Sequence, residues 1–300
     1  MIRPVAFGYN EQTSATNSFQ NKHVPLVRSM RDREEQTIHL KAREEFDTLV
    51  QKLKDKKINV LVFEDTLYPP TPDSIFPNNW ISFHEQNTIV LYPMLAENRR
   101  VERREDIIHY FTNEKTNLID LSENELRTIF LEGTGSIIFD SENKTAYANS
   151  SSRTNKELFE KLCVQLNYKP ISFTAVNTNG QDIYHTNVLM CIGNTFAVLC
   201  KECIPNKTEI KNIVESLEKT NHEIIEISSQ QMNAFAGNMY QLFNDKEESL
   251  IVMSEQAFKS LNPTQITTLE KHGTLIHSPL YTIEQYGGGS ARCMIADVIY

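Results

Sequence analysis

Apolar residues along the chain fall into two patterns. Short runs read as strands, and stripes at i, i+3, i+4 and i+7 read as helices. The clearest stripe is Phe46, Leu49, Val50 and Leu53, one face of a charged helix predicted over about residues 30–56. Before it, residues 3–10 read as a strand and 11–20 as a polar loop; after it, 59–63 read as a buried strand. Prolines 69, 70 and 72 then exclude both helix interior and central strand.

From there the pattern repeats. Hairpins are predicted over 80–83 with 88–92, 136–139 with 145–148, 188–191 with 196–199, and 239–243 with 250–253. A helix follows each: one over 101–111, one opened by a Thr154–Glu157 capping box, one capped by Asn206 with Glu209, and one beginning at Pro263 after Asn262. With the first helix, starts fall near 30, 100, 154, 207 and 263, the last four spaced by about 55 residues. Five strand–hairpin–helix units predict an α/β fold of radial repeats around a central channel, a single domain over residues 1–300. Closing such a ring calls for the C-terminal strand to complete the first unit.

Composition narrows the function. The chain has 300 residues, 40% apolar and 23% charged, with a net charge of −9. An acidic chain is repelled by a phosphate backbone, which argues against nucleic acid as a partner. No apolar run nears the roughly 20 residues that span a bilayer, and the start lacks the apolar segment of a secretion signal. Five cysteines without such a signal point to reduced thiols in a cytoplasm. Cys200 and Cys203 form a C-x-x-C without a second pair, so neither metal nor organic cofactor is expected. A homo-oligomer is compatible with the chain.

Four islands carry candidate chemistry: residues 72–80 with Asp73 and Asn79, 131–136 with Glu132, 184–187 with His185, and the loop Gly287-Gly288-Gly289 leading to Cys293. Each has a plain alternative. Cys293 reads equally as a buried thiol after a turn, His185 as a satisfied interior histidine, and Glu132 and Asp73 as turn residues. Their shared phase in successive repeats brings them to one end of the channel. Together a thiol, an imidazole and carboxylates make a cysteine-based covalent catalyst.

These islands resemble the pentein superfamily of guanidine-modifying enzymes. Pro-Asp-Ser-Ile-Phe-Pro-Asn-Asn (72–79) is similar to the dimethylargininase stretch, Leu-Glu-Gly-x-Gly to the acidic segment, and Arg153-Thr154-Asn155 to the family's Arg-Thr-Asn. Gly-Gly-x-x-x-Cys-Met resembles the nucleophile loop, and Phe235-Ala-Gly-Asn238 a Gly-Asn turn of the fold. Arg-Pro-x-x-Phe-Gly-x-Asn and Asn17-Ser-Phe-Gln20 resemble more narrowly the arginine-deiminase-related, amidinotransferase-like branch, with citrulline-utilisation hydrolases. The resemblance implies a five-bladed pentein propeller with Cys293 as nucleophile, His185 as general acid/base and Glu132 as its acidic partner. It implies Asp73 on the planar head group, Phe76, Asn78 and Asn79 beside it, and Arg99 and Arg153 on the carboxylate of a small amino-acid substrate. A protonated His185, with Arg292, would favour the thiolate.

One departure points to the substrate. Asn79 stands where guanidine-binding relatives place a second aspartate. A guanidinium offers only donors, whereas a ureido group has a carbonyl that an asparagine amide can donate to. The expected reaction is therefore hydrolysis of citrulline to ornithine, ammonia and carbon dioxide. Arginine deiminase- or dimethylargininase-type hydrolysis, amidino transfer and a non-catalytic binding role are the alternatives.

Overall fold

The computed structural model describes residues 1–20 and 28–299, with 28–34 described by backbone alone. Two short parallel strands, β1 (Ile2–Arg3) and β2 (Phe63–Glu64), form one sheet. The helix Arg28–Asp55 lies between them in the chain. Its stripe of Phe46, Leu49, Val50 and Leu53 is buried against Ile276, Leu280 and Ile283. The first unit departs from the sequence reading at both strands. The opening strand stops at Arg3, because Asn10 instead caps a short helix, Glu11–Ser14, by accepting from Gln12 N. Strand pairing over 59–63 is confined to its end.

Four three-stranded sheets follow. They are β3 (Ile81–His84), β4 (Thr88–Leu91) and β5 (Asn117–Asp120); β6 (Ile137–Asp140), β7 (Thr145–Asn149) and β8 (Lys169–Phe173); β9 (Met190–Ile192), β10 (Phe196–Leu199) and β11 (Glu223–Glu226); and β12 (Tyr240–Phe243), β13 (Ser249–Ser254) and β14 (Thr274–Ser278). In each, the first two strands form the predicted hairpin and the third pairs in parallel with the second. A parallel neighbour needs a crossover. Helices Glu105–Phe111, Lys156–Gln165, Lys207–Lys219 and Pro263–Glu270 lie in those crossovers. The result is a mixed α/β fold.

Three local readings change. Asn155, not Thr154, caps the helix Lys156–Gln165, accepting from Leu158 N at 2.9 Å, while the Thr154 hydroxyl donates to Ser136 Oγ at 2.8 Å. The predicted helix over 101–111 is two pieces, Glu97–Arg100 and Glu105–Phe111. The C-terminal stretch 295–299 forms no strand; Ala296 and Val298 instead pack against the cluster of Trp80, Ile81 and Ile107.

Short helical turns precede β3, β6 and β9: Pro77–Asn79, Gly133–Ser136 and Thr186–Val188. A fourth, Ala291–Met294, closes the chain. The turn before β6 touches those before β3 and β9, and the one before β3 touches Ala291–Met294. Equivalent places in successive sheets therefore meet, and the polar islands lie on these turns.

Candidate active site

The nucleophile candidate is reached through a helix end. The helix Tyr281–Gly287 stops at Gly288, whose φ of 64° is the left-handed conformation that ends helices and that glycine adopts without strain. A Cβ there would also lie 2.4 Å from the Asn17 amide. Gln20 Nε2 donates to Gly287 O at 3.1 Å, and the Tyr184 hydroxyl donates to Gly288 O at 2.5 Å. The loop is pinned from two sides, and Cys293 follows it, only 3% exposed.

A narrow cavity, with about 10 Å³ open to the centre of a water-sized sphere, gathers most of the predicted site. Asp73, Phe76, Asn79, Arg99, Arg153, His185 and Cys293 line it together with Thr13, Asn17, Tyr184 and Gly287–Gly289. Glu132 is fully buried behind the imidazole, its Oε2 2.8 Å from His185 Nε2. Asn78 stands apart from this lining, buried with both amide atoms unpartnered.

Glu132 also accepts from Leu95 N at 3.1 Å and meets Arg153 at 3.4 Å. Burial works against its charge, but Arg153 and the hydrogen bond from His185, with Arg99 adding, outweigh it and hold the carboxyl well below the usual range. A carboxylate only accepts, so Nε2 carries the ring proton and Nδ1 is the basic nitrogen of the neutral imidazole. Burial lowers His185 to about 4, with Arg153 and Arg99 adding and Glu132 opposing. That direction favours the neutral imidazole at pH 7. It runs against the protonated His185 expected to favour the thiolate. Arg292 does not serve either: its guanidinium stacks 3.9 Å from the Tyr240 ring centroid and donates to Ile295 O at 2.7 Å.

The head-group side is a network of buried ions. Asp73 Oδ2 accepts from Asn10 Nδ2 at 2.8 Å and from Thr13 Oγ1 at 3.1 Å, while Oδ1 has no partner. Burial pushes its carboxyl up, opposed by Arg99 and those two hydrogen bonds. Arg99 is saturated: it binds Glu102 through Nε and a terminal nitrogen, Asn79 Oδ1 at 2.9 Å, and the carbonyls of Asp73 and Phe76. Arg153 donates to Thr13 O and Thr16 Oγ1 and lies 5.0 Å from the Tyr184 ring centroid. Both arginines thus spend their hydrogen bonds inside the protein. Because a guanidinium only donates, Asn79 must turn its oxygen to Arg99, which leaves Nδ2 buried without a partner beside the cavity.

Sequence reasoning passed over Asn187 and Asn238, whose amides lie 3.3 and 3.4 Å from Cys293 Sγ. The signal available was their place: Asn187 stands two residues after His185, and Asn238 ends the Gly-Asn turn. Asn10 and Thr13, which hold Asp73, have no role at the site in the sequence reading: Asn10 ends a motif that carries the family resemblance, and Thr13 lies in a stretch read as polar loop. No cluster of His, Cys, Asp or Glu suited to a metal occurs among the described residues. No described helix is long and apolar enough to cross a membrane.

The sequence matches the family of eukaryotic N,N dimethylarginine dimethylhydrolase over residues 3–300. No curated protein matches it. Among solved structures, the chain is similar to ArgZ, an arginine dihydrolase from the ornithine–ammonia cycle in cyanobacteria, with 16% identity and a TM-score of 0.74. That likeness covers 100% of this chain and 40% of that one, so the chain spans about two fifths of full-length ArgZ. The N-terminal domain of an ArgZ variant, covalently bonded to a reaction intermediate, is similar at 17% identity and a TM-score of 0.75, over 100% of this chain and 96% of that one. A dimethylarginine dimethylaminohydrolase adduct with S-methyl-L-thiocitrulline shares 14% identity and a TM-score of 0.61, over 85% and 88%. At these identities the likenesses show the fold.

Proposed function

The chain belongs to the N,N dimethylarginine dimethylhydrolase family, and from that membership we propose that it is a cysteine-dependent hydrolase of the ureido carbon of citrulline. The observation that carries the substrate is Asn79. Its oxygen is taken by Arg99, so the cavity meets an unpartnered N–H2 donor where a ureido carbonyl oxygen needs one. Asp73 Oδ1, also unpartnered, accepts from the terminal NH2. A guanidinium would meet the same amide donor to donor.

In this reading Cys293 attacks the planar ureido carbon and gives a tetrahedral intermediate. The proton of the Cys293 thiol passes to Nδ1 of His185 as the sulfur attacks; one C–N bond then breaks as the leaving nitrogen takes that proton, and a thiocarbamate ester remains on the sulfur. Water, losing a proton to Nδ1 of His185, adds to the ester and displaces the sulfur, which takes that proton back. The carbamate released breaks its remaining C–N bond to give carbon dioxide and the second amine. Citrulline plus water gives ornithine, ammonia and carbon dioxide. Glu132 fixes the ring and balances the imidazolium as it forms. Arg99 acts here as a positioning residue for Asn79 and Asp73, Phe76 packs beside the head group, Asn78 supports the turn, and Arg153 holds the segment 13–16 over the cavity. We read the five sheets as the blades of one pentein ring over residues 1–300. The chemistry is assigned to a cytoplasmic amino-acid pool.

A second reading has one observation in its favour. A buried carboxylate with a free oxygen, Asp73, is also suited to a cation, so arginine would be hydrolysed first and citrulline second, as in the activity named for ArgZ. Assaying ammonia and ornithine from citrulline, arginine, dimethylarginine and agmatine, with glycine added to catch amidino transfer, separates these readings. Citrulline is expected to yield ornithine, and Cys293→Ser to abolish it while the fold survives. Asn79→Asp is expected to lower citrulline turnover; a rise in citrulline turnover with arginine untouched would sink the substrate assignment.

A further inference from the structure

We propose that Asn187 and Asn238 are catalytic residues that form a two-donor cradle for the sulfur of Cys293, stabilising it as thiolate in place of a cation. Their Nδ2 atoms lie 3.3 and 3.4 Å from Sγ, and the two residues are 1% and 0% exposed. They come from different sheets. Asn187 is in the turn before β9 and Asn238 in the turn before β12, so the sulfur is held where two units meet.

The orientation of Asn238 is fixed by its neighbours. Its Oδ1 accepts from the Arg292 backbone N–H at 3.0 Å and lies 3.8 Å from Sγ, farther than Nδ2 does, and its Nδ2 donates to the Asn187 carbonyl at 2.8 Å. A backbone N–H can only donate and a carbonyl only accept, so the amide cannot be reversed. Nδ2 has two hydrogens; one serves the carbonyl and the other remains for Sγ. Asn187 Oδ1 is buried without a partner, so its desolvation has a cost that nothing in the protein offsets. That cost fits an amide kept for its N–H2, which donates to the sulfur. A donor to an anion is roughly twice as strong as a donor to a neutral acceptor, so both amides favour S⁻ over SH.

The other groups facing the cavity do not compete for this role. His185, Asp73, Arg99, Arg153 and Tyr184 line it, yet no hydrogen bond to Sγ comes from them. His185 is committed to Glu132, and Arg292 is turned onto Tyr240. The cradle rests on the reading of Cys293 as nucleophile, but its test needs no substrate.

The full-length protein is treated with iodoacetamide across pH, and alkylation of the Cys293 peptide is followed by mass spectrometry. In Asn187→Ala, Asn187→Asp and Asn238→Asp, the pH of half-maximal alkylation should rise by about one unit or more, a tenfold fall in thiolate fraction at fixed neutral pH. The aspartate variants should move it furthest, since Asn238→Asp keeps the acceptor for Arg292 N but places a carboxylate at the sulfur. A merely structural role would change melting temperature or plateau rate and leave the midpoint in place. If Asn238→Asp does not fold, the two Asn187 variants decide. An unchanged or lowered midpoint in the folded variants overturns the cradle. Absence of citrulline turnover with the midpoint raised would overturn only the substrate.

Discussion

The cavity has two walls made of different material. Around Cys293 the partners are neutral amides, Asn187 and Asn238, the second fixed by backbone groups. Around Asp73 they are buried ions, Arg99 with Glu102 and Asp73 itself, each 2% exposed. Both walls are buried, yet they carry different costs. Burying a neutral amide with good partners costs little net free energy, whereas buried ions stay favourable only while every partner is present. His185 and Glu132 join them, because Arg153 reaches Glu132 while His185 shares the cavity with the thiol.

The largest effect is expected at this junction. Glu132→Gln keeps the shape but removes the charge that balances an imidazolium, and kcat should fall roughly 10²–10⁴-fold with the fold retained. Steady-state assays with melting curves decide it. A fall below tenfold would mean that the ion wall does not reach the chemistry through Glu132. The same pair sets a pH dependence. His185 lies at about 4 in the free protein, so kcat/KM should be flat from pH 7 down to about 5 and fall below that. An inflection near 6.5 would mean that the imidazole is not desolvated.

Next in size, and on stability, is Arg99→Met. It leaves Glu102 and Asp73 buried without their cation and should cost about 3–5 kcal/mol in denaturant unfolding. Adding Glu102→Leu should recover part of the loss, since a buried pair is replaced more cheaply than it is broken. Asn187→Ala, on the amide wall, should cost distinctly less. Equal costs for the two walls would erase the contrast.

How much of this was legible in the sequence differs between the walls for the same reason. Cys293, His185, Glu132 and Asp73 stand out because a thiol, an imidazole and acids beside glycine or proline are rare company. The hairpins and most of the helices were legible from periodicity and turn residues. The third strands were not: β5 and β11 are short, carry exposed residues at three and two of their four positions, and pair only across a crossover, so no local alternation marks them. Arg99 could be seen as a cation but not as a saturated one. Its Glu102 is three residues away, an ordinary helix-surface spacing, and only the fold shows both buried. Asn238 looks like a turn residue until the chain brings position 293 to it, and partners 55 residues apart leave no local signature.

The smallest expected effect tests whether the amide wall is insulated from charge further back. Glu284, behind the glycine loop, accepts from Ser290 Oγ at 2.6 Å, and its other oxygen has no partner. Burial pushes this carboxyl up to about 7, with Ser254 and then Ser290 opposing. An acid whose folded value exceeds its unfolded one adds stability that is fully present below about 4.5 and lost as pH rises to about 7. Glu284→Gln keeps an acceptor for Ser290 but cannot ionise. Near pH 4 the variant and the parent should therefore unfold at similar denaturant concentrations. At pH 8 the variant should be the more stable, by about 1–2 kcal/mol once relaxation of the buried carboxylate is allowed for. Because Glu284 meets the loop through Ser290, three residues before the thiol, its ionisation should leave the Cys293 alkylation midpoint where it is. A midpoint that moves in Glu284→Gln would show that charge behind the loop reaches the sulfur and that the amides do not set its state alone.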